Sequence, residues 1–112
     1  MKLPNANQAA VDREKIADYL LNPVHPDNGG KAAFFTQLGF HSERWEVLAS
    51  ALKALALSAE VTSASETRHG KKYIVAGRIQ SPGGKSPLVQ SIWIVDKNRN
   101  AARLVTAYPR KA

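Results

Sequence analysis

The sequence predicts an α+β domain, with about three N-terminal helices packed on a C-terminal antiparallel sheet of about four strands. Three observations predict it. Apolar residues recur at spacings of three and four as far as Ser58, and at spacings of two beyond it. Clusters of turn-forming residues divide the second half into strand-length pieces. The chain has 112 residues, 44% of them apolar, a size and composition suited to one core. A single domain is therefore placed at 1–112, with a helical half at 1–58 and a sheet half at 59–112.

Residues 1–12 read as an extended lead-in, because Pro4 and Asn5 disfavour a helix. Asp12 is positioned to cap a helix over Arg13–Leu21, whose Ile16, Tyr19 and Leu20 share a face. Asn22-Pro23 ends it, since the residue before a proline is pushed out of the helical region. NPVHPDNGG, with two prolines and two glycines, reads as a loop. A second short helix follows from Asn28 or Gly29 to Leu38, with Ala32, Phe35 and Leu38 on its inner side and Gly39 as its stop. Ser42 is the expected cap of the third and longest helix, striped by Trp45, Leu48, Leu52 and Leu55.

Glu60–Thr67 reads as an edge strand. Lys72–Gln80 sets Tyr73, Val75, Gly77 and Ile79 against Lys72, Ile74, Ala76 and Arg78, and Ser81-Pro82-Gly83-Gly84 turns the chain. Leu88–Val95 contains Ile92-Trp93-Ile94-Val95, apolar on both faces, as in a central strand. Lys97–Asn100 is the next turn and Arg103–Tyr108 the last strand.

Charge is the first functional signal. Residues 1–67 carry six Lys/Arg and eight Asp/Glu, a net of −2; residues 68–112 carry ten Lys/Arg and Asp96 alone, a net of +9. Such separation puts a positive field on the sheet half, for which nucleic acid is the commonest partner, ahead of acidic proteins and anionic membranes. The absence of cysteine excludes disulfides, Cys-ligated metal and thiol nucleophiles. No apolar run reaches the length of a membrane span, and Met-Lys-Leu-Pro-Asn lacks the apolar segment of a signal peptide, so no membrane partner and a cytoplasmic location are expected.

His25, His41 and His69 have no metal-ligand spacing, so no metal and no cofactor is expected. Gly83-Gly84-Lys85-Ser86 lacks the spacing and the strand-to-helix context of a phosphate loop. One chemistry fits the inventory. RNA cleavage by attack of the neighbouring 2′-OH needs a base, an acid and a cation for the phosphorane charge. His25 and Lys31 lie in one Gly-rich loop and helix start, where exposed backbone N–H groups also favour phosphate. Thr106 and Tyr108 lie two apart on the last strand, with Arg110 following. The bland alternatives are a solvated loop histidine and a half-buried strand pair.

The segments MKLPNA, YLLNPVHPDNGGKAAFFTQLGF, KKYIVAG, SIWIV and RLVTAYP resemble a small, functionally uncharacterised bacterial domain family. That family occurs as stand-alone proteins and as C-terminal modules of larger secreted proteins resembling polymorphic toxins. Thr106-Ala107-Tyr108-Pro109 is also similar to the last strand of EndoU-type endoribonucleases. Those group with barnase, RelE and colicin-type nucleases, in which N-terminal helices precede an antiparallel sheet. The resemblance implies that Tyr108 and Thr106 contact base and ribose, and that a Lys and two His do the acid, base and charge-stabilising work. His25 and Lys31 match the HP…GKA block. The second histidine is left open between His41 and His69, with Arg103 or Lys72 as a RelE-like replacement.

The leading expectation is a metal-independent endoribonuclease of toxin type. Its catalytic candidates are His25, Lys31, Thr106 and Tyr108, and its substrate-binding candidates Arg103, Lys72, Arg78 and Arg110. The alternatives are a non-catalytic RNA-binding module and a basic domain docking an acidic antitoxin or immunity protein over residues 68–112.

Overall fold

In a computed structural model of the chain, residues 1–110 are described. Helix α1 begins as an α-turn, Arg13–Lys15, and continues as a π-helical turn, Ile16–Leu20. Helices α2 (Lys31–Gln37) and α3 (Trp45–Ser58) follow. The strands are β1 (Val61–Thr67), β2 (Gly70–Arg78), β3 (Leu88–Asp96) and β4 (Arg103–Pro109). They form one antiparallel sheet in the order β1-β2-β3-β4, the α+β arrangement the change of period predicts.

Three local departures have physical reasons. The lead-in is not wholly extended: Ala6–Gln8 makes a 3₁₀ turn after Asn5, whose φ is 52°. Residue Ala10 then lies along β4, its N–H donating to Ala102 at 2.8 Å and its carbonyl accepting from Leu104 at 3.0 Å. Neither Asp12 nor Ser42 caps its helix with its side chain; Ser42–Arg44 is a 3₁₀ turn that feeds α3. In α1 the Leu21 N–H reaches back five residues to the Ile16 carbonyl, at 2.8 Å, which makes the turn wider than an α-turn.

The core lies between the helices and one face of the sheet. Ile16, Leu20, Phe35, Leu48, Leu52 and Leu55 meet Tyr73, Val75, Val89, Trp93, Leu104 and Ala107, all buried. Trp93 is fully enclosed, and its indole N–H donates to the Ser91 hydroxyl at 2.9 Å, which donates in turn to the Val75 carbonyl at 2.9 Å. Among the described residues no buried side-chain N or O atom lacks a hydrogen-bond partner, so the largest side chain of the core adds its apolar area without a desolvation penalty. Gly77 lets α3 approach β2, since a Cβ there would stand 2.7 Å from the Leu55 Cδ1.

The sheet has a second face. Successive cross-strand rows on it are Lys72–Ile94–Arg103, Ile74–Ile92–Thr106, Ala76–Gln90–Tyr108 and Arg78–Leu88. The expectation that β3 is central is met in strand order, β3 lying between β2 and β4. Its coverage is not two-sided: Ile74, Ile92 and Ile94 are half-buried and belong neither to the core nor to the side chains packed against it. Between Ile92 and Trp93 the register shifts, so that Val105 is an extra residue in β4. This bulge bends the edge strand beside Thr106.

Candidate functional site

The loop between α1 and α2 is closed by one buried side chain, Asn28, which is 3% exposed. Its amide donates to the carbonyls of Tyr19, at 2.6 Å, and Leu20, at 3.3 Å, and its Oδ1 accepts the Ala32 N–H at 2.8 Å. One residue thereby ties the end of α1 to the first turn of α2. Gly29 and Gly30 follow with φ of 62° and 87°, a left-handed pair that residues with a Cβ adopt at a cost.

This closure sets His25 and Lys31 around Tyr19. The His25 ring lies edge-on to Tyr19, centroids 5.0 Å apart at 70°. Its Nδ1 accepts the Asp27 backbone N–H at 3.1 Å, which fixes the neutral ring with its proton on Nε2. The Lys31 Nζ donates to the Asn28 carbonyl at 3.1 Å and stands 5.5 Å from the Tyr19 ring centre, while the Lys15 Nζ stands 5.3 Å from it. Two ammonium groups on one phenol ring make a compact cationic cluster. The Tyr19 hydroxyl shares a hydrogen bond of 3.0 Å with the Thr106 hydroxyl on β4.

Two grooves flank this cluster. One, of about 510 Å³, is lined by Lys15, Tyr19, His25 and Thr106 together with the carboxylates Glu14, Asp18 and Asp27. The other, of about 320 Å³, is lined by Gly29, Gly30, Lys31, Tyr108 and Pro109 and has no acidic residue. The Tyr108 hydroxyl accepts from the Gln90 amide. An anion is favoured in the second groove and opposed by the carboxylates in the first.

The fold thus brings His25, Lys31, Thr106 and Tyr108 to one edge of the molecule, although they come from opposite ends of the chain. The cations assigned to substrate binding line neither groove. Arg103 is committed to Asp96, its Nε and Nη2 donating to the two carboxylate oxygens at 2.7 and 3.1 Å. That bond raises the Arg103 pKa and holds the Asp96 carboxyl below its usual range. Lys72 and Arg78 stand on the open face of the sheet, and Arg110 is exposed just past β4. His41 lines a separate groove with Arg44, Val47 and Pro82, and His69 sits in the β1–β2 turn. Neither joins His25, so the second histidine left open by the sequence is not supplied at this edge.

Tyr19, Lys15, Asn28 and Gln90 belong to this edge and were not singled out in the sequence. Tyr19 reads there as one more apolar position of an amphipathic helix. The available signal was Asn28-Gly29-Gly30, a polar residue before two glycines, which marks a closed turn more than an ordinary loop.

Among the described residues no three His, Asp or Glu side chains are grouped as metal ligands, and no helix is long and apolar enough to cross a membrane. No curated protein matches the chain. Among solved structures the fold is similar to a chain of a contact-dependent growth inhibition toxin–immunity protein complex from Klebsiella pneumoniae 342. The identity is 17% and the TM-score 0.76, over 96% of this chain and 97% of that one. A family model described as a domain of unknown function, DUF6883, matches residues 2–111, and the chain belongs to that family.

Proposed function

We propose that this member of the DUF6883 family is a metal-independent endoribonuclease of toxin type, which cleaves RNA by 2′-OH transesterification. The observation that carries the reading is the cluster of Tyr19, His25, Lys31 and Thr106, with Tyr108 across the adjoining groove. The similarity to a chain of a toxin–immunity complex supports a place in such a pair. The +9 balance of residues 68–112 favours the toxin side of it.

In this reading Lys31 stabilises the charge on the scissile phosphate, in the groove that has no carboxylate. The 2′-oxygen attacks phosphorus and the 5′-oxygen leaves, giving a 2′,3′-cyclic phosphate and a 5′-hydroxyl. His25 donates a hydrogen bond from Nε2 to the phosphate, because Nδ1 is already engaged, and the Lys31 ammonium gives the leaving 5′-oxygen its proton. The carboxylates of the adjoining groove, Glu14, Asp18 and Asp27, are the groups able to accept the 2′-OH proton. Thr106 and Tyr108 hold the nucleotide, the Tyr108 ring as a stacking surface for an unpaired base.

The test is incubation of the purified protein with total and ribosome-bound RNA in EDTA, followed by mapping of new 3′ ends. Cyclic-phosphate ends that disappear in both His25→Ala and Tyr108→Ala are the expected result. Intact RNA that binds with steep salt dependence would replace the enzyme by an RNA-binding module. Intact RNA without binding would leave the protein-docking function.

A further inference from the structure

The open face of the sheet presents an arrangement that the cleavage chemistry does not use. On an antiparallel sheet with one face on the core, the other face is ordinarily polar. Here Ile74 and Ile92 are paired across β2 and β3, Ile94 is two residues further along, and Ala76 and Leu88 extend the apolar strip toward the far end. None of the three isoleucines contributes to the core. Cations bracket the strip: Lys72 in the row of Ile94 at one end, and Arg78 in the row of Leu88 at the other. Asp96, at the margin, is already neutralised by Arg103.

We propose that this face is the docking surface of an acidic protein partner, one that presents an apolar centre to Ile74, Ile92 and Ile94 and carboxylates to Lys72 and Arg78. An apolar strip rimmed by charges of one sign is the pattern of a protein interface, with its desolvated centre and polar rim. RNA fits it less well. Isoleucine offers no π-face for a base, and Tyr108 is the one aromatic ring in these rows. A second copy of this chain fits less well still, since a two-fold pairing would set Lys72 and Arg78 against like charges. The inference deepens the partner half of the proposed function and does not depend on the cleavage chemistry. Because Thr106 and Tyr108 end two of these rows, a partner seated here borders the RNA-holding residues and would block them.

The full-length protein carrying benzoylphenylalanine at Ile92 or Ile74, and at exposed Val24 as a control, is photo-crosslinked in its native cells. Any crosslinked protein is identified, purified and titrated against the unmodified chain. The expected result is an acidic protein captured from positions 92 and 74 but not 24. Its purified form should lose at least tenfold in affinity to Ile92→Gln and to Lys72→Glu, and each variant should keep the wild-type melting temperature within a few degrees. Should Ile92→Gln unfold, Lys72→Glu alone decides, because it reverses a charge at the end of the strip and removes no core side chain. Crosslinks to RNA, to a second copy or to a basic protein would overturn the proposal, as would capture no greater than at Val24. RNA cleavage is not read in this experiment, so a failure of the nuclease reading leaves its result intact.

Discussion

The hydroxyls of Tyr19 and Thr106 meet at 3.0 Å, across 87 residues of sequence. This hydrogen bond joins the π-turn of α1 to the bulged stretch of β4, and it is where the helical half and the sheet half share the candidate site. Its geometry makes a direct prediction. Tyr19→Phe and Thr106→Val should each cost about 1 kcal/mol of stability, the usual net worth of a part-buried hydrogen bond. The double variant should cost less than the sum of the two. Urea titrations of the four proteins measure the coupling, and strict additivity would mean that the two hydroxyls do not interact.

Asn28 is expected to matter more than either. Asn28→Ala strands the Ala32 N–H and removes the side-chain donor of the Tyr19 and Leu20 carbonyls, of which Tyr19 keeps the Asn22 N–H. A loss of about 2–4 kcal/mol is expected, since each abandoned buried group carries its own desolvation penalty. Spectra of His25 and Lys31 should change with it, because the loop they occupy loses its closure. A variant with wild-type stability would show that water replaces the amide without cost.

The β1–β2 turn predicts a second sensitive position. Gly70 has a φ of 152°, and a Cβ there would lie 2.2 Å from the Val95 carbonyl oxygen and 2.9 Å from the Asp96 Cα. Backbone atoms cannot swing aside as a side chain does, so Gly70→Ala should cost about 2 kcal/mol or more. The thermal midpoint measures it, and an unchanged midpoint would show that the turn rebuilds freely.

Asp96 supplies a pH dependence. The hydrogen bond from Arg103 is the main cause of its lowered pKa. A carboxyl whose folded pKa lies below its unfolded value stabilises the fold fully above the ordinary value of 3.8, and that contribution fades as pH falls through the lower folded value. Between pH 5 and pH 2 the wild type should therefore lose more stability than Asp96→Asn, with the two curves parallel above pH 5. Parallel curves throughout would mean that the ion pair, exposed as it is, contributes nothing measurable.

Much of the fold is legible in the residues because local signals agree with packing. Leu48, Leu52 and Leu55 form a stripe in the sequence and are buried in α3. Tyr73 and Val75 alternate in the sequence and point into the core. Where the reading fell short, the deciding contacts were distant. The cap expected from Ser42 gave way to a 3₁₀ turn, and the apolar Ile92-Trp93-Ile94 run fits a strand covered on one face as well as one covered on both. The site divides in the same manner. His25 and Lys31 are neighbours in one loop, and Thr106 and Tyr108 in one strand, so each pair was visible. Tyr19 was not, because an aromatic residue on an amphipathic helix is ordinarily core. Only the Thr106 hydroxyl, from the other end of the chain, gives it a second role.

The strap at Ala10 lies along β4, and the groove needs α1 from one end of the chain and β4 from the other. Order of synthesis therefore becomes a safeguard. A ribosome makes the loop with His25 and Lys31 early, and Thr106 and Tyr108 among the last residues of the fold, so no growing chain holds a finished groove. If the domain does cut RNA, the ribosome that builds it is exposed to a complete site only after the last strand has been released and stitched to Ala10.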